Sequence, residues 1–449
     1  MLKTKNSNRW LHPLKFCGTL TGLTGVCMLV AQPAFADVSA ETAYVLNTFS
    51  FLVHGVLVML MAAGFAMLEA GLVRTKNVAT ICMKNMSLYA LAGVMFWLVG
   101  YNVMYMGVDG GFIGTFLPWL GDNEAAMAGD FSGGYSAESD WFFQMVFVAT
   151  TASIISGTVA ERIKLWPFLL FVAVLTAVIY PIEGAWQWGG GWLAEMGFSD
   201  FAGSTIVHSA GGWAALSGAL VIGARKGKYG SDGKITPIPG SSMPLATLGT
   251  FLLWFGWFGF NGGSQLALGS AADSAAIAII YTNTNMAAAG GVLAAMVLTQ
   301  LIYKKCDLSM VLNGALAGLV SITAGPDTPS IMSAILIGGV GGVIVVLVVP
   351  LLDRLKIDDV VGAIPVHLAA GIWGTLAVPL TNDGASFITQ LIGVVSIGAF
   401  VFATSSVVWM IIKSTVGLRV SEEEEFEGLD KMELGLEAYP EFGHGSQKI

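Results

Sequence analysis

Charged side chains are scarce in this sequence: Asp, Glu, Lys and Arg make up only 11% of the 449 residues, whereas apolar residues make up 55%. A soluble domain typically has about a quarter of its residues charged. The scarcity therefore argues against an ordinary soluble enzyme. We predict a membrane protein that lies in a lipid bilayer and has no nucleic-acid partner.

Cysteine is also rare and gives no structural framework. Two of the four cysteines, Cys17 and Cys27, lie in an N-terminal segment that we expect to be removed, and the sequence does not bring Cys82 and Cys306 together. No disulfide framework is implied. We also predict no metal site and no cofactor.

The N-terminal segment has the pattern of a secretory signal peptide. An apolar run over residues 16–30 precedes AQPAFA, and its small-x-small ending predicts cleavage after Ala36. We assign residues 1–36 to this peptide, with a retained first transmembrane helix as the alternative. The basic residues before the apolar run are Lys3, Lys5, Arg9 and Lys15.

The mature chain contains apolar segments whose lengths suit a membrane. Crossing a hydrocarbon core of about 30 Å takes ~20 residues of helix. We therefore predict an all-α polytopic membrane protein with eleven transmembrane helices in a membrane domain over residues 37–412. The approximate segments are 43–69, 85–107, 141–160, 165–184, 203–223, 245–263, 274–302, 309–325, 331–351, 361–380 and 387–412.

Basic residues are absent from every second loop between these segments. The loop 108–140, for example, contains Asp and Glu but neither Lys nor Arg. Lys and Arg collect in cytoplasmic loops, so the pattern predicts a mature N-terminus outside and a C-terminal tail, residues 413–449, inside. The basic residues of the other loops are Arg74, Lys76, Lys84, Arg162, Lys164, Arg225, Lys226, Lys228, Lys234, Lys304, Lys305, Arg354 and Lys356.

Two histidines lie at membrane depth in matching phrases. His208 stands in VHSAGGW of the fifth segment, about 12 Å below Asp200 at the helical rise. His367 stands in VHLAAGIW of the tenth segment, which runs in the opposite direction. The match predicts an inverted repeat of segments 1–5 and 6–10 plus an eleventh helix. Such repeats place their functional site at the repeat interface near the membrane midplane.

Ionisable residues inside a membrane usually face a bundle interior or a pathway, and we expect these two histidines to line one. A pair of hydrogen-bonded structural histidines is one alternative. A b-type haem held between two imidazoles is another, and a reduced-minus-oxidised optical spectrum would distinguish it.

Phrases throughout the mature chain are similar to those of the ammonium transporter (Amt/Rh) family, and specifically to the bacterial type of its Amt branch. The resemblance implies a transporter rather than an enzyme, assembled as a homotrimer with one pore in each subunit. The phrases are SDFAGSTIVHSAGGWAALSGALVIGAR (199–225), AGFAMLEAGLVRTKN (63–77), SGTVAERI (156–163), WGGGWL (188–193), WFGFNGGS (257–264) and LRVSEEEEFEGLD (418–430).

The resemblance also implies where the substrate binds. Trp188, Phe147 and Ser264 would form an outer aromatic cage, in which cation–π attraction is worth ~0.5–2 kcal/mol. Without the resemblance, a place in an interfacial aromatic belt would be the favoured interpretation of Trp188. Phe147 and Phe260 would then close the pore below the cage, and Trp257 would form part of its wall.

A dry, narrow pore is hostile to an ion, because burying an isolated charge costs many kcal/mol. Ammonium can leave a proton behind and cross as ammonia, whereas K⁺ cannot shed its charge. His208 and His367 would supply polar nitrogens along this conduit.

Three further residues receive roles at the ends of segments. Asp200 precedes the fifth segment and is predicted to act first as a structural helix cap, with electrostatic help to the cation second. The resemblance implies that Thr323 lines the pore and that Asp359 lies at the inner vestibule.

The acidic tail, with four consecutive glutamates from Glu422 to Glu425, is predicted by composition to be a solvated segment. The resemblance implies that it packs under the neighbouring subunit and takes part in blockade by a PII-type signal protein. Leu434 stands where the family often has a histidine, which affects the details of the tail contacts.

The predicted function is uptake of ammonium, with methylammonium as a side substrate, across the cytoplasmic (inner) membrane in nitrogen metabolism. An ammonium sensor with the same fold is the alternative. Sensors of this family typically carry a fused output domain, whereas only a short tail follows Ile412 here.

Overall fold

The structure is a computed structural model that describes residues 38–441. The predicted signal peptide, residues 1–36, lies outside the described residues, as does the end of the tail from residue 442 onwards. Within residues 38–441 the regular secondary structure is helical, and two isolated β-bridges lie in the loops.

Nine helices among the described residues are long and apolar enough to cross a membrane. Two shorter apolar helices, Leu308–Ile322 and Ile364–Leu380, coincide with the eighth and tenth predicted segments. The helices are therefore consistent with the predicted count of eleven. The chain is therefore an all-α, multi-pass membrane protein. The helices are α1 Ala40–Leu72, α2 Thr75–Tyr105, α3 Ala137–Thr158, α4 Leu165–Glu195, α5 Ser204–Ile222, α6 Met243–Gly263, α7 Ala271–Tyr303, α8 Leu308–Ile322, α9 Ile331–Arg354, α10 Ile364–Leu380 and α11 Phe387–Thr415.

Side-chain caps define where many of these helices begin. The first backbone N–H groups of a helix have no partner within it, and a Ser or Asp side chain placed before the first turn accepts one of them. The caps that do so are Ser39 at α1, Ser242 at α6, Ser270 at α7, Asp307 at α8, Ser330 at α9 and Ser386 at α11.

Lys84 was predicted to lie in a loop, and this prediction is wrong. It lies inside α2 and is 1% exposed. Its Nζ donates a hydrogen bond to the backbone oxygen of Ser156 at 2.8 Å and lies 4.8 Å from the ring centre of Phe168. The part of α2 around Lys84 packs against protein rather than lipid, so a polar side chain is tolerated there.

Glycines allow the two histidine helices, α5 and α10, to cross closely. A Cβ atom on Gly212 of α5 would lie 2.7 Å from the backbone nitrogen of Leu368, and one on Gly371 of α10 would lie 2.5 Å from the backbone oxygen of Ser204. Both glycines belong to the matching phrases around the histidines. Small residues at helix crossings are the usual means of close packing in membranes, and here they bring the two histidines together.

The tail is docked on the rest of the chain through some of its acids, so the prediction of a solvated segment is wrong for these, whereas Glu422 and Glu423 are exposed as predicted. It forms α12 (Glu422–Glu427) and α13 (Leu429–Leu434), and Glu425 and Asp430 are buried. The Asp430 carboxylate accepts the N–H groups of Ala79 and Thr80 at 2.9 and 2.7 Å, near the start of α2. Glu425 is likewise satisfied, because its carboxylate accepts the backbone N–H of Lys226 at 2.8 Å and the Arg419 guanidinium at 2.6 Å.

Candidate functional site

A cavity of about 330 Å³ is lined by all three residues predicted for the cage. It lies on the side that is predicted to face outwards and is called the outer cavity below. Trp188 lies at the end of α4, Phe147 on α3 and Ser264 just after α6. Trp188 is held in place because its Nε1 donates to the backbone oxygen of Asp200 at 3.0 Å, and its ring meets that of Phe147 edge-on at 6.0 Å.

Ser264 presents an acceptor to this cavity. Its Oγ donates its own proton to the backbone oxygen of Phe260 at 2.9 Å. A hydroxyl oxygen has two lone pairs, and these remain free to accept a hydrogen bond from a substrate N–H group. The cavity therefore combines aromatic faces with an oriented acceptor.

Two stacked phenylalanines stand next to the outer cavity, and Phe147 is part of its lining. The rings of Phe147 and Phe260 lie 3.9 Å apart between centres, with 25° between their planes. Both side chains are buried. The structure thus brings together the two residues to which the resemblance gives a gate, and their action as a gate stays a prediction.

The two histidines contact each other directly below this pair. Their Nδ1 atoms lie 3.2 Å apart, and the His208 ring stacks 5.2 Å from Phe260 and 4.9 Å from Trp257. Both rings lie in π-helical segments, Ser204–Ser209 and Ile364–Ala369; such segments are frequent at functional sites. The direct contact does not fit a haem, which would need one imidazole on each face of its plane.

A hydrogen bond between two Nδ1 atoms fixes how neutral rings share their protons. One Nδ1 must carry the proton and the other must accept it, so of the two Nε2 atoms one is an acceptor and the other a donor. The Nε2 of His208 is buried without a hydrogen-bond partner. A buried polar atom without a partner is uncommon, and a passing molecule of ammonia would satisfy it.

Thr323 and Trp257 form one wall of this region. The Trp257 Nε1 donates to the Thr323 hydroxyl at 2.8 Å, and that hydroxyl donates to the backbone oxygen of Leu319 at 2.7 Å. Thr323 therefore positions Trp257 against His208.

Asp200 and Asp359 are helix caps at equivalent places in the two halves. The Asp200 carboxylate accepts four backbone N–H groups, those of Gly203, Ser204, Thr205 and Ile206, at 2.8 to 3.1 Å. Asp359 accepts the N–H of Ile364 at 2.7 Å and the hydroxyl of Thr158 at 3.0 Å. Each aspartate stands eight residues before the histidine of the same half. This repeated spacing was not part of the sequence prediction.

Two further cavities lie on the side of the histidine pair that is predicted to be cytoplasmic. A small one of about 10 Å³ is lined by His367, Glu69 and Asn313. A larger one of about 360 Å³, called the inner vestibule below, shares Asn313 with it and includes Asp359 in its lining. The predicted residues therefore form a series from the outer cavity, past the stacked phenylalanines and the histidine pair, to the inner vestibule.

Buried ion pairs hold the loops around the vestibule. Arg225 contacts Glu161 at 3.1 Å and Asp358 at 2.9 Å. Burial opposes ionisation of both acids, but Arg225, helped by Arg74 at Glu161 and by Arg162 at Asp358, outweighs it and keeps the pKa of each carboxyl below its ordinary value. The cluster is therefore charged at neutral pH, and removing one partner would leave an uncompensated buried charge.

A sequence model of the Ammonium Transporter Family matches residues 49–439. The chain belongs to this family. Its members are transporters rather than enzymes. The curated relatives include Amt2 of Archaeoglobus fulgidus, 43% identical over 421 residues and covering 87% of each chain, and Amt1 of Haloferax mediterranei, 40% identical over 412 residues and covering 87% of this chain and 78% of the relative.

Solved structures of the same family have the same fold. A chain described as a sensor Amt protein is 36% identical, with a TM-score of 0.82 over 88% of this chain and 100% of that chain. Mep2 of Candida albicans is 26% identical, with a TM-score of 0.75 over 86% of this chain and 89% of that chain.

Two acidic residues at the site were missed from the sequence. Asp140 lines the outer cavity and accepts the hydroxyl of Tyr101 at 2.5 Å, and Glu69 lines the small inner cavity. Each stood at the edge of a predicted apolar segment, where an acid is ordinarily taken as the boundary. Only the structure shows that α1 continues to Leu72 and that α3 already begins at Ala137, so that both acids lie inside helices.

Proposed function

We propose that the chain recruits ammonium in the outer cavity, removes its proton and conducts ammonia past Phe147 and Phe260 along His208 and His367. The observation that carries this proposal is the histidine pair, which has a buried nitrogen without a partner and lies between an outer and an inner cavity. Whether the proton follows by another route does not alter the path of the ammonia.

Recruitment in the outer cavity follows from its chemistry. The Trp188 and Phe147 rings present π-faces to a cation, and the Ser264 hydroxyl supplies an acceptor. Asp140 adds a carboxylate at the cavity wall. Together these groups attract a small cation with N–H donors, and the closed gate beneath them stops the hydrated ion.

Selectivity follows from the dry segment below. Transfer of an isolated charge into such a segment costs far more free energy than hydrogen bonds to two imidazole nitrogens can offset. Ammonia needs only hydrogen bonds, and the histidine nitrogens provide them. K⁺ has no neutral form and should be excluded.

Replacing Trp188 should act mainly on affinity. We expect Trp188→Leu to raise the half-saturating concentration for labelled methylammonium uptake into proteoliposomes about threefold to tenfold, because the loss of ~0.5–1.5 kcal/mol of cation–π attraction changes affinity by roughly that factor. Trp186→Leu is the matched control, since Trp186 lies on the same helix but does not line the outer cavity. An unchanged concentration dependence in Trp188→Leu would overturn the cage.

We further propose the cellular setting that the resemblance implies. The chain works as a homotrimer in the cytoplasmic (inner) membrane in nitrogen metabolism, after removal of residues 1–36, with its N-terminus outside and its tail inside. A PII-type signal protein binds at the inner face. The docked tail supports regulation, because its acidic side chains contact the start of α2 and the loop after α5.

Removing the tail should impair transport without preventing insertion. α11 continues to Thr415, so a chain ending there keeps every apolar helix. We expect its methylammonium uptake to fall severalfold and the coupling between pores to change. Asp430→Asn should reproduce part of the loss, because the carboxylate caps α2, whereas the exposed Glu423→Gln should not. Full uptake with normal regulation in the truncated protein would contradict the proposed role.

An ammonium sensor is the second candidate, favoured by one observation: the structural neighbour described as a sensor Amt protein is 36% identical to this chain. Uptake of labelled methylammonium into proteoliposomes that contain the purified protein distinguishes the two functions. Specific binding without uptake would favour the sensor.

A further inference from the structure

Glu69 is a buried carboxylate of α1 to which the proposed path of ammonia gives no role. Its Oε2 accepts hydrogen bonds from the Ser156 hydroxyl at 2.7 Å and from the Asn85 amide at 3.1 Å. Its Oε1 is buried with no hydrogen-bond partner. An unpaired carboxylate oxygen in a membrane protein interior is costly, which indicates that it serves an occupant of the space beside it.

That space is the small cavity beneath His367. Its volume of about 10 Å³ is close to the minimum that holds one water-sized molecule. Its polar lining includes Ser153 and Asn313, but both donate to backbone oxygens, those of Ala149 and Val361. His367 and Glu69 are therefore the titratable groups that face each other across it.

A cation lies behind the carboxylate without occupying its free oxygen. The Lys84 Nζ donates to the backbone oxygen of Ser156, the residue whose hydroxyl binds Glu69. No ion pair within 4.0 Å joins Lys84 and Glu69 among the described residues. Lys84 can thus stabilise the ionised carboxylate from a distance while Oε1 stays available to a proton.

We propose that Glu69 is the inner proton station of the pathway, which accepts the proton that ammonium leaves on the histidine pair. The proposal rests on the proposed function above. An N–H bond of His367 breaks and an O–H bond forms at Glu69 Oε1, through one water molecule in the small cavity. The O–H bond then breaks again, and the proton passes to water in the inner vestibule, where it recombines with ammonia. One positive charge accompanies each ammonia.

The test measures charge and substrate on the same proteoliposomes. Currents on a solid-supported membrane report charge movement, and uptake of labelled methylammonium reports substrate. We expect Glu69→Gln to lower the ratio of current to uptake at least tenfold, because the amide cannot carry the proton onward. Glu69→Asp keeps a carboxyl group and should retain part of the ratio.

Glu183→Gln is the matched control. Glu183 is also a fully buried glutamate whose carboxylate oxygens have no partner, but it does not line the small cavity. Whatever its effect on uptake, the ratio of current to uptake should stay at the parent's value. A ratio that falls equally in Glu69→Gln and Glu183→Gln would assign both effects to general damage and overturn the proposal.

Further outcomes distinguish a failure of the proton station from a failure of the proposed function. A folded Glu69→Gln protein with the parent's ratio would overturn the proton station, as would a parent that takes up methylammonium without any current; both would leave ammonia transport intact. A parent without uptake would instead contradict the proposed function. If Glu69→Gln does not fold because Lys84 is left uncompensated, Glu69→Gln/Lys84→Met removes both charges, and the same fall in ratio is expected.

Discussion

An aspartate in place of His208 or His367 should let K⁺ through a pathway that excludes it in the parent. In the proposed pathway the buried segment below Phe147 and Phe260 excludes water, so the cost of bringing a bare ion there dominates selectivity. A carboxylate offers a negative charge at that depth, and each ~1.4 kcal/mol of stabilisation raises permeation about tenfold. We therefore expect at least one of the single or double variants to conduct K⁺ at least ~10-fold above the parent.

The measurement is the current evoked by ammonium and by K⁺ on the same liposomes. His54→Asp is the matched control, since His54 is also buried in a membrane helix but is bound by Ser50 and Tyr281 and lines none of the three cavities. It should not conduct K⁺. If every pathway variant folds, conducts ammonium at the parent's rate and still refuses K⁺, the histidines are structural and this account of selectivity is wrong.

The experiment also separates the two readings of the histidine pair. A structural pair would lose stability on substitution without any change in which ions cross. The 3.2 Å contact between the two Nδ1 atoms is compatible with either reading. The unpartnered Nε2 of His208 is not needed by a purely structural pair, which is why we favour conduction.

The membrane helices could be predicted from the sequence because hydropathy acts over whole segments. The histidine pair could also be predicted, since VHSAGGW and VHLAAGIW repeat the same pattern. Their direct contact could not, because it depends on how closely Gly212 and Gly371 allow two helices to approach. A pattern of residue types gives a shared depth in the membrane but no distance between side chains.

Hydropathy failed where polar groups are satisfied by protein rather than by water. Lys84 was placed in a loop, yet its charge is buried against Ser156 and Phe168. Glu69 stood at the last position of the first predicted segment, although α1 continues to Leu72. The tail acids were read as solvated for the same reason, because the partners of Asp430 lie about 350 positions away in the sequence.

Asp200→Asn should be the most destabilising single substitution at the site. The carboxylate accepts four backbone N–H groups at the start of α5. An amide has one oxygen with two lone pairs, so at least two N–H groups would be left buried without an acceptor. At ~1–3 kcal/mol each, the loss should be about 2–6 kcal/mol, enough to displace His208 and abolish transport.

The measurement is the thermal unfolding midpoint of the purified protein, taken together with methylammonium uptake. Asp109→Asn, in an exposed outer loop, is the matched control and should leave both unchanged. A drop of several degrees in the midpoint with loss of uptake is the expected result for Asp200→Asn. If the variant instead kept the parent's midpoint and lost only its affinity for ammonium, Asp200 would act on the cation itself, because a cap that holds four N–H groups cannot be removed without a cost in stability.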